Sequence, residues 1–202
     1  MEQYIWSLDI STTNIGMALW NSKGKLIELK HLELKTDKHT PVENRDIYKA
    51  EIFRKYVLDY KDYVLAELNG VINHVIVEEP LGGSNNSNTV SLLFGFNGIT
   101  RYILYNIFEI YPMKISVYES RKLFCSELVK ISTVKGQRKE TLSFPPEWRK
   151  EKKLYIWKKV CKLEPQIEWF YKKNGNDPKP MCFDMSDSYA VGFAGLKQLG
   201  IL

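Results

Sequence analysis

Two apolar segments joined by a short polar turn constrain the fold of this chain more than any other feature. The first runs from Tyr4 to Leu8 and the second from Ile15 to Trp20, and the residues between them are mainly Ser, Thr and Asn. This pattern predicts two antiparallel strands. Asp9 directly follows the first segment, where a carboxylate is costly unless a cation pairs with it. Two interpretations stay open: Asp9 binds a metal ion or a phosphate–metal complex, or it caps the turn.

The segments that follow predict an α/β domain. The residues from Lys25 to Glu33 have the apolar spacing of a third strand, which would complete an antiparallel meander. Apolar residues recur at three- and four-residue steps from Glu43 to Leu68, which predicts a helix. A short apolar strand, Val75 to Val77, then leads directly to Glu78 and Glu79.

A second helix is predicted from Thr89 to Phe108, and a last strand from Ile115 to Tyr118. This helix is apolar on more than one face, so we expect it to be buried on both sides or to mediate association between copies of the chain. The Gly82–Asn88 loop before it is rich in Gly, Ser and Asn, a composition typical of the margin of an active site.

Composition limits the classes of protein that fit. With 202 residues, of which 44% are hydrophobic and 26% charged, the chain suits a single domain, assigned to residues 1–202. The sequence has no apolar run of about 18 residues and no signal-peptide pattern, so we expect no membrane span and a cytoplasmic location. The three cysteines and three histidines do not cluster, which disfavours a zinc site or a disulfide framework.

Positive charge is concentrated between Lys135 and Lys162. This segment has ten basic and three acidic residues, a net charge of +7, whereas the whole chain is +5 and the remainder is therefore −2. A charged segment is usually a solvated surface, but this concentration favours contact with phosphates. The candidate DNA-binding residues are Lys135, Arg138, Lys139, Lys152, Lys153 and Lys159. If they do not bind DNA, the Gly82–Asn88 loop is the alternative contact.

Two further acids lie near the end of the sequence. Asp184 and Asp187 are three residues apart, which places both carboxylates on one face of a helix. Because Pro178 and Pro180 precede them, we predict that the helix begins late and that both acids lie in its first turn. Capping the helix N-terminus is the ordinary role for Asp in that position. A single Asp suffices for it, so the second suggests a further role.

Together, Asp9, Glu78, Asp184 and Asp187 come from three distant segments. Four converging carboxylates would repel one another unless divalent cations neutralised them. Oxygen ligands alone select Mg²⁺ or Mn²⁺ rather than zinc. Two such ions bound by shared carboxylates are a recurring arrangement for phosphodiester hydrolysis.

The order of these elements resembles the RNase H-like fold, and the motifs resemble those of RuvC-type Holliday junction resolvases. The matching segments are Leu8 to Gly16, Val75 to Glu79, and Asp184 to Ala190. The resemblance implies an α/β fold with a central mixed five-stranded sheet, made of the meander plus parallel strands and flanked by helices. It also implies a homodimer that makes paired symmetric nicks in branched DNA, most simply a four-way junction, without a nucleotide cofactor.

By the same resemblance, the catalytic residues and the ligands of two Mg²⁺ or Mn²⁺ ions are Asp9, Glu78, Asp184 and Asp187. Glu79 is left out because the family's acid directly follows the apolar run. A lysine near the metals assists catalysis in the family, and Lys152 and Lys153 are both candidates here. The family commonly has Pro-Gly where this chain has Ile10-Ser11. A basic, mainly helical insertion at about 120–180 is longer than in the bacterial enzymes, which suits a phage or otherwise divergent member.

Two other classes of protein are considered. Actin-like ATPases and sugar kinases also open with a strand, an Asp and a Ser/Thr-rich hairpin, but they need a second glycine-rich phosphate motif in a duplicated domain, and no such repeat is present. A non-catalytic nucleic-acid-binding protein with a retained nuclease fold is the other alternative. The presence of all four acids favours a nuclease over it.

Overall fold

The structure is a computed structural model. It describes residues 1–36, 38–80, 87–134, 137–173 and 175–202, with the backbone alone at 87–89 and 134. Its elements are β1 (Glu2–Ile10), β2 (Asn14–Asn21), β3 (Leu26–Glu33), α1 (Arg45–Ala66), β4 (Gly70–Glu79), α2 (Ser87–Phe108), β5 (Met113–Ser116), α3 (Val117–Phe124), β6 (Val129–Val134), β7 (Gln137–Leu142), α4 (Lys152–Leu163) and α5 (Pro180–Gln198). Within these ranges, no helix combines the length and apolarity needed to cross a membrane.

Five strands form one mixed sheet in the order β3-β2-β1-β4-β5. The pairs β1–β2 and β2–β3 are antiparallel, whereas β1–β4 and β4–β5 are parallel. The predicted α/β fold, a three-stranded meander extended by parallel strands, is confirmed. Strands β6 and β7 form a separate two-stranded antiparallel sheet.

Both faces of the five-stranded sheet are covered by helices. Along β1, Trp6 and Leu8 pack in the core that includes Phe53 of α1, while Ile5 packs on the opposite face in the core formed with α5. Successive side chains of a strand point to opposite faces, so the alternation fixes which residues can meet which helix. Tyr4, Trp6 and Leu8 therefore lie towards α1 and α2, and Ile5, Ser7 and Asp9 lie towards α5.

The region at about 120–180 differs from the predicted, mainly helical insertion. It contains the hairpin β6–β7, which the sequence analysis did not predict, besides α4 and the end of α3. On α4, Ile156, Trp157 and Val160 are buried. The sequence analysis missed the hairpin because β7 is polar and charged on both faces, and the alternation of Val129 and Ile131 with Lys130 and Ser132 in β6 is too short to stand out.

The predicted start of α5 is wrong. The helix begins at Pro180, which occupies the first position, so Asp184 and Asp187 lie in its second and third turns. Proline is tolerated at the first helical position because its missing N–H would have no partner within the helix. Neither acid is therefore placed to cap the helix.

Candidate active site

Asp9 and Glu78 lie side by side on the sheet face that packs against α5. In the parallel pair β1–β4, Leu8 is opposite Val77, so the next residue of each strand is an acid. Both acids share the face of Ile5 and Ile76, which belong to the core with α5. Asp9 is 8% exposed. The hydrogen bonds of the turn after β1 are made by Ser11, whose Oγ accepts from the Asn14 N–H at 3.0 Å, and not by Asp9.

Helix α5 brings the other two acids to the same place. The Ser7 hydroxyl donates to the Ser188 carbonyl at 2.9 Å and accepts from the Trp20 indole at 3.0 Å, which fixes the helix on β1 and β2. Ser7 lies two residues before Asp9 and on the same face of β1. Ser188 directly follows Asp187, which is 3% exposed. This contact therefore sets the height of Asp187 over the sheet.

One cavity of about 190 Å³ is lined by all four acids. Its other lining residues come from the end of β1, from the residues that follow β1 and β4, and from α2, α3 and α4: Ile10, Ser11, Pro80, Leu93, Val117, Arg121 and Lys153. The structure thus brings together the four acids that the sequence analysis selected. It also distinguishes Glu78 from Glu79, whose carboxylate pairs with Lys114 at 3.0 Å and is 43% exposed.

Burial and repulsion raise the pKa values of Asp9, Glu78 and Asp184. Burial, followed by the nearby charge of Asp187, raises the pKa of Asp9 to about 7. Burial and the charge of Asp9 also raise the pKa of Glu78 well above its ordinary value. Burial raises the pKa of Asp184 to about 6, against the opposing effect of Lys153. A carboxylate cluster with raised pKa values needs positive charge to be fully ionised at neutral pH.

Lys153 supplies part of that charge. Its Nζ lies 2.9 Å from Oδ2 of Asp187 and 3.8 Å from Oδ1 of Asp184. Burial alone would lower the pKa of Lys153, but the charges of Asp187, Asp9 and Asp184 raise it above the ordinary value. Lys152, the other lysine considered from the sequence, lies instead with its Nζ 5.8 Å from the centre of the Phe144 ring.

Arg121 is a cation of this site that the sequence analysis missed. Its guanidinium nitrogen lies 3.8 Å from Oδ1 of Asp187, and its side chain is 17% exposed. Its Nε is buried without a hydrogen-bond partner among the described residues. Arg121 is isolated in the sequence from the basic segment, and a helix over residues 117–124 was not predicted, so the sequence contained no spacing that could indicate it.

The four carboxylates fit divalent metal ions by their chemistry, because hard oxygen ligands are those that Mg²⁺ and Mn²⁺ prefer. Among the described residues, however, no three metal-binding side chains are grouped closely enough to hold one ion. The Lys153 ammonium lies close to both Asp184 and Asp187, so an ion held by these two acids would compete with it for their oxygens.

A larger basic cleft adjoins the acid cavity. It measures about 780 Å³ and shares Arg121 and Lys153 with the cavity. Six cations line it, namely Arg121, Arg149, Lys150, Lys152, Lys153 and Lys172. Two of the candidate DNA-binding residues, Lys152 and Lys153, are among them.

The remaining candidate DNA-binding residues lie elsewhere. Arg138 and Lys139 are on the exposed strand β7. The Lys159 ammonium donates to the Phe124 carbonyl at 2.6 Å and pairs with Glu127 at 2.7 Å, so it joins α4 to the end of α3. Lys135 lies outside the described residues, as do residues 82–86 of the Gly82–Asn88 loop.

No protein-family model matches the sequence, and no curated protein matches it. Solved structures do match. Thermus thermophilus RuvC aligns over 98% of this chain and 96% of its own, with 13% identity and a TM-score of 0.52. The fold is that of the RuvC-type Holliday junction resolvases.

Two further solved structures share this fold. T. thermophilus RuvC in complex with Holliday junction substrate aligns over 98% of this chain and 97% of its own, with 11% identity and a TM-score of 0.51. The yeast mitochondrial Holliday junction resolvase Ydc2 aligns over 98% of this chain and 79% of its own, with 12% identity and a TM-score of 0.54. At these identities the similarity concerns the fold, so the predicted RNase H-like arrangement is confirmed.

Proposed function

We propose that this chain is a metal-dependent endonuclease that cuts branched DNA, with the four-way junction as its substrate. The observation that supports this most is the convergence of four acids from three segments in one cavity that adjoins a basic cleft. A phosphate backbone bound in that cleft would pass Arg121 and Lys153 before reaching the acids. The resolvase fold, found in a structure with Holliday junction substrate, supports the choice of substrate.

In this proposal Asp9, Glu78, Asp184 and Asp187 hold two Mg²⁺ or Mn²⁺ ions, which would activate water and stabilise the leaving oxygen. Asp9 lies beside the β4 acid and faces the α5 acids, so it would act as a ligand together with each of them. The Lys153 ammonium, paired here with Asp187 and Asp184, would contact the scissile phosphate once divalent cations balanced those two acids. Arg121, whose Nε has no partner among the described residues, donates to a phosphate oxygen.

The test is cleavage of four substrates under matched conditions: a four-way junction, a flap, a linear duplex and an RNA–DNA hybrid. We expect cutting of the junction that requires Mg²⁺ or Mn²⁺ and is lost in Asp9→Asn, while that variant still binds the junction. Binding without cutting by the wild-type protein, at any divalent metal, would contradict the nuclease and favour a non-catalytic DNA-binding protein.

Paired symmetric nicks call for two active sites, and we propose that α2 forms the homodimer interface. On this helix Leu92, Phe94 and Tyr102 are 61%, 45% and 66% exposed. A Cβ atom at Gly95 or Gly98 would meet no atom within 4 Å, so a second backbone can approach this face closely. Several exposed apolar side chains on one helix are unfavourable in a monomer.

Leu92→Glu tests the dimer, with Leu163→Glu as the matched control, because Leu163 is 51% exposed on α4. We expect light scattering at micromolar concentration to give twice the chain mass for the wild type and for the control. Leu92→Glu should give the mass of one chain and should nick junctions on one strand at a time. A wild-type protein with the mass of one chain would contradict the proposal.

A further inference from the structure

The hairpin formed by β6 and β7, called here the ribbon, stands apart from the main sheet. Its residues 130–133 and 137–139 are exposed on both strands. An isolated two-stranded ribbon is only marginally stable in water unless something supports it. Support comes from α3 at the middle of the ribbon, where the Tyr118 hydroxyl donates to the Glu140 carbonyl at 3.1 Å and the Lys122 ammonium pairs with the Glu140 carboxylate.

The strand register separates the side chains of the ribbon into two faces. Residues directly opposite in an antiparallel pair share a face, and neighbours along a strand alternate. Lys130 is opposite Thr141, Ser132 is opposite Lys139, and Val134 is opposite Gln137. These pairs define the lysine face. The other face has Ile131 opposite Glu140 and Thr133 opposite Arg138.

Charge is distributed unequally between these faces. Among the ribbon residues that the structure describes, the lysine face has two cations and no carboxylate. The carboxylate of the ribbon, Glu140, lies on the other face, where Arg138 pairs with it at 3.1 Å in addition to Lys122. The Ser132 and Thr141 hydroxyls have only long contacts to cross-strand carbonyls, 3.5 and 3.4 Å, and stay able to bond to a ligand.

We propose that the ribbon enters the major groove of duplex DNA with its lysine face towards the base edges; this rests on the proposed function. Two strands about 4.8 Å apart, with their side chains, match a groove about 12 Å wide. Lysine, serine, threonine and glutamine are side chains that bond to base edges there. With Glu140 held on the opposite face, no ribbon carboxylate among the described residues faces the negative groove.

The attachment of the ribbon fixes where it meets the DNA. Lys122, which holds Glu140, directly follows Arg121, whose side chain lines the acid cavity. Both residues belong to the rigid helix α3. From Glu140 the strand continues three residues to Gln137, about 10 Å at ~3.3 Å per residue. The ribbon therefore samples base pairs at a constant distance from the scissile phosphate, which would make cutting depend on sequence.

The variant that tests this is Lys130→Gln with Lys139→Gln, and the matched control is Arg138→Gln on the opposite face. Probes are a linear DNA duplex, a four-way DNA junction and an RNA duplex, bound without divalent metal so that none is cut. Methylation of guanine N7 reports occupation of the major groove directly. Thermal unfolding and mass measurements of each variant exclude a folding defect or a change of assembly.

We expect the wild type to protect guanine N7 positions on one side of the cut site, and the double variant to lose that protection. Its affinity for both DNA probes should fall about tenfold, with a log–log salt slope shallower by about two, whereas Arg138→Gln changes the slope by at most about one. RNA duplex binding should be equal in all three proteins, because the A-form major groove is too narrow for the ribbon.

Unchanged protection of guanine N7 in the double variant would overturn the proposal. Equal losses of affinity for DNA and for RNA would also overturn it, because they would indicate contacts to phosphates alone. If Arg138→Gln lost as much DNA affinity and N7 protection as the double variant, the effect would come from surface charge in general and the proposal would be wrong. A change in mass would mean that the ribbon pairs with a second copy instead. Because these are binding measurements, a protein that protects N7 but cuts no substrate would contradict the proposed nuclease and leave the ribbon proposal standing.

Discussion

Gly16 and Asp184 are packed so closely that a Cβ atom at Gly16 would overlap the backbone carbonyl of Asp184. Gly16 is also the residue opposite Asp9 in the β1–β2 pair. The missing side chain therefore lets α5 lie directly against the strand beside Asp9. This contact is what brings an acid of the helix next to an acid of the sheet.

Gly16→Ala should consequently damage both stability and activity. The obstructing atoms are backbone, so α5 must move, and overpacking of this kind costs about 1–3 kcal/mol. We expect urea unfolding to show that loss and junction cleavage to fall strongly. Asp9→Asn is the control, since it removes the activity without adding volume. A Gly16→Ala protein with wild-type stability and cleavage would contradict the packing described here.

Glu78 and Glu79 offer a test with neighbouring residues of identical chemistry. Glu78→Gln should reduce cleavage by at least about a hundredfold, the scale seen when one preorganised electrostatic group is removed. Glu79→Gln should leave cleavage within about threefold, because its exposed pair with Lys114 contributes at most about 1 kcal/mol. Single-turnover cleavage of a labelled junction measures both. Equal losses in the two variants would contradict the assignment of Glu78.

Lys153 and Lys152 form a second matched pair. Lys153→Met should lower the cleavage rate by about a hundredfold or more, because the scissile phosphate loses a cation positioned beside the acids. Lys152→Met should affect binding more than the rate, since Lys152 lines only the basic cleft. Rates measured at saturating protein separate these effects. A reversed order of the two rates would contradict the placement of Lys153 at the reacting phosphate.

The raised pKa values predict how stability depends on pH without metal. The pKa of Asp9 is about 7 when folded against an ordinary 3.8, so the folded state binds more protons between these values. The free energy of unfolding contributed by this group therefore falls as pH rises from about 4 to about 7, and Asp184 acts in the same direction up to about pH 6. Asp9→Asn should show a shallower fall in thermal unfolding temperature over this range.

Mg²⁺ should reverse this loss, because a divalent cation binds the ionised acids. We expect Mg²⁺ to raise the unfolding temperature of the wild type more at pH 8 than at pH 5, and to have little effect on Asp9→Asn. Ca²⁺ serves as a control because it has the same charge as Mg²⁺ but does not require octahedral coordination. An equal Mg²⁺ shift at both pH values would argue against binding at these acids.

The basic cleft predicts the salt dependence of DNA binding. Replacing Arg149, Lys150 and Lys172 together by Gln should make the log–log salt slope shallower by about two to three, on junction and duplex alike. Lys159→Gln is the control. It should lower the unfolding temperature and leave the slope unchanged, because Lys159 is already paired with Glu127. A slope altered only by Lys159→Gln would place the DNA contact away from the cleft.

The local pattern of the sequence was sufficient to predict the sheet and the acids from it. The continuous apolar runs that end at Asp9 and at Glu78 predicted strands, because a short apolar run bounded by turn residues is typical of a strand buried on both faces. Since both acids follow buried runs, their burial and need for a cation could be inferred before their positions were known. The helical periods of α1 and α2 are equally local.

Other features depended on contacts between distant segments, which no local pattern encodes. The two prolines before α5 are compatible with two helix starts, and in the structure the helix begins at Pro180 and packs with Asp184 against Gly16 of β2. Lys153 and Lys152 are adjacent in the sequence, and the docking of α4 against α5 decides which ammonium meets the acids. Helix α3 likewise places Arg121 beside Asp187 and holds the ribbon through Lys122, and tertiary packing sets the position of α3. Periodicity determines which face a residue occupies, and packing of the helices on the sheet determines what that face meets.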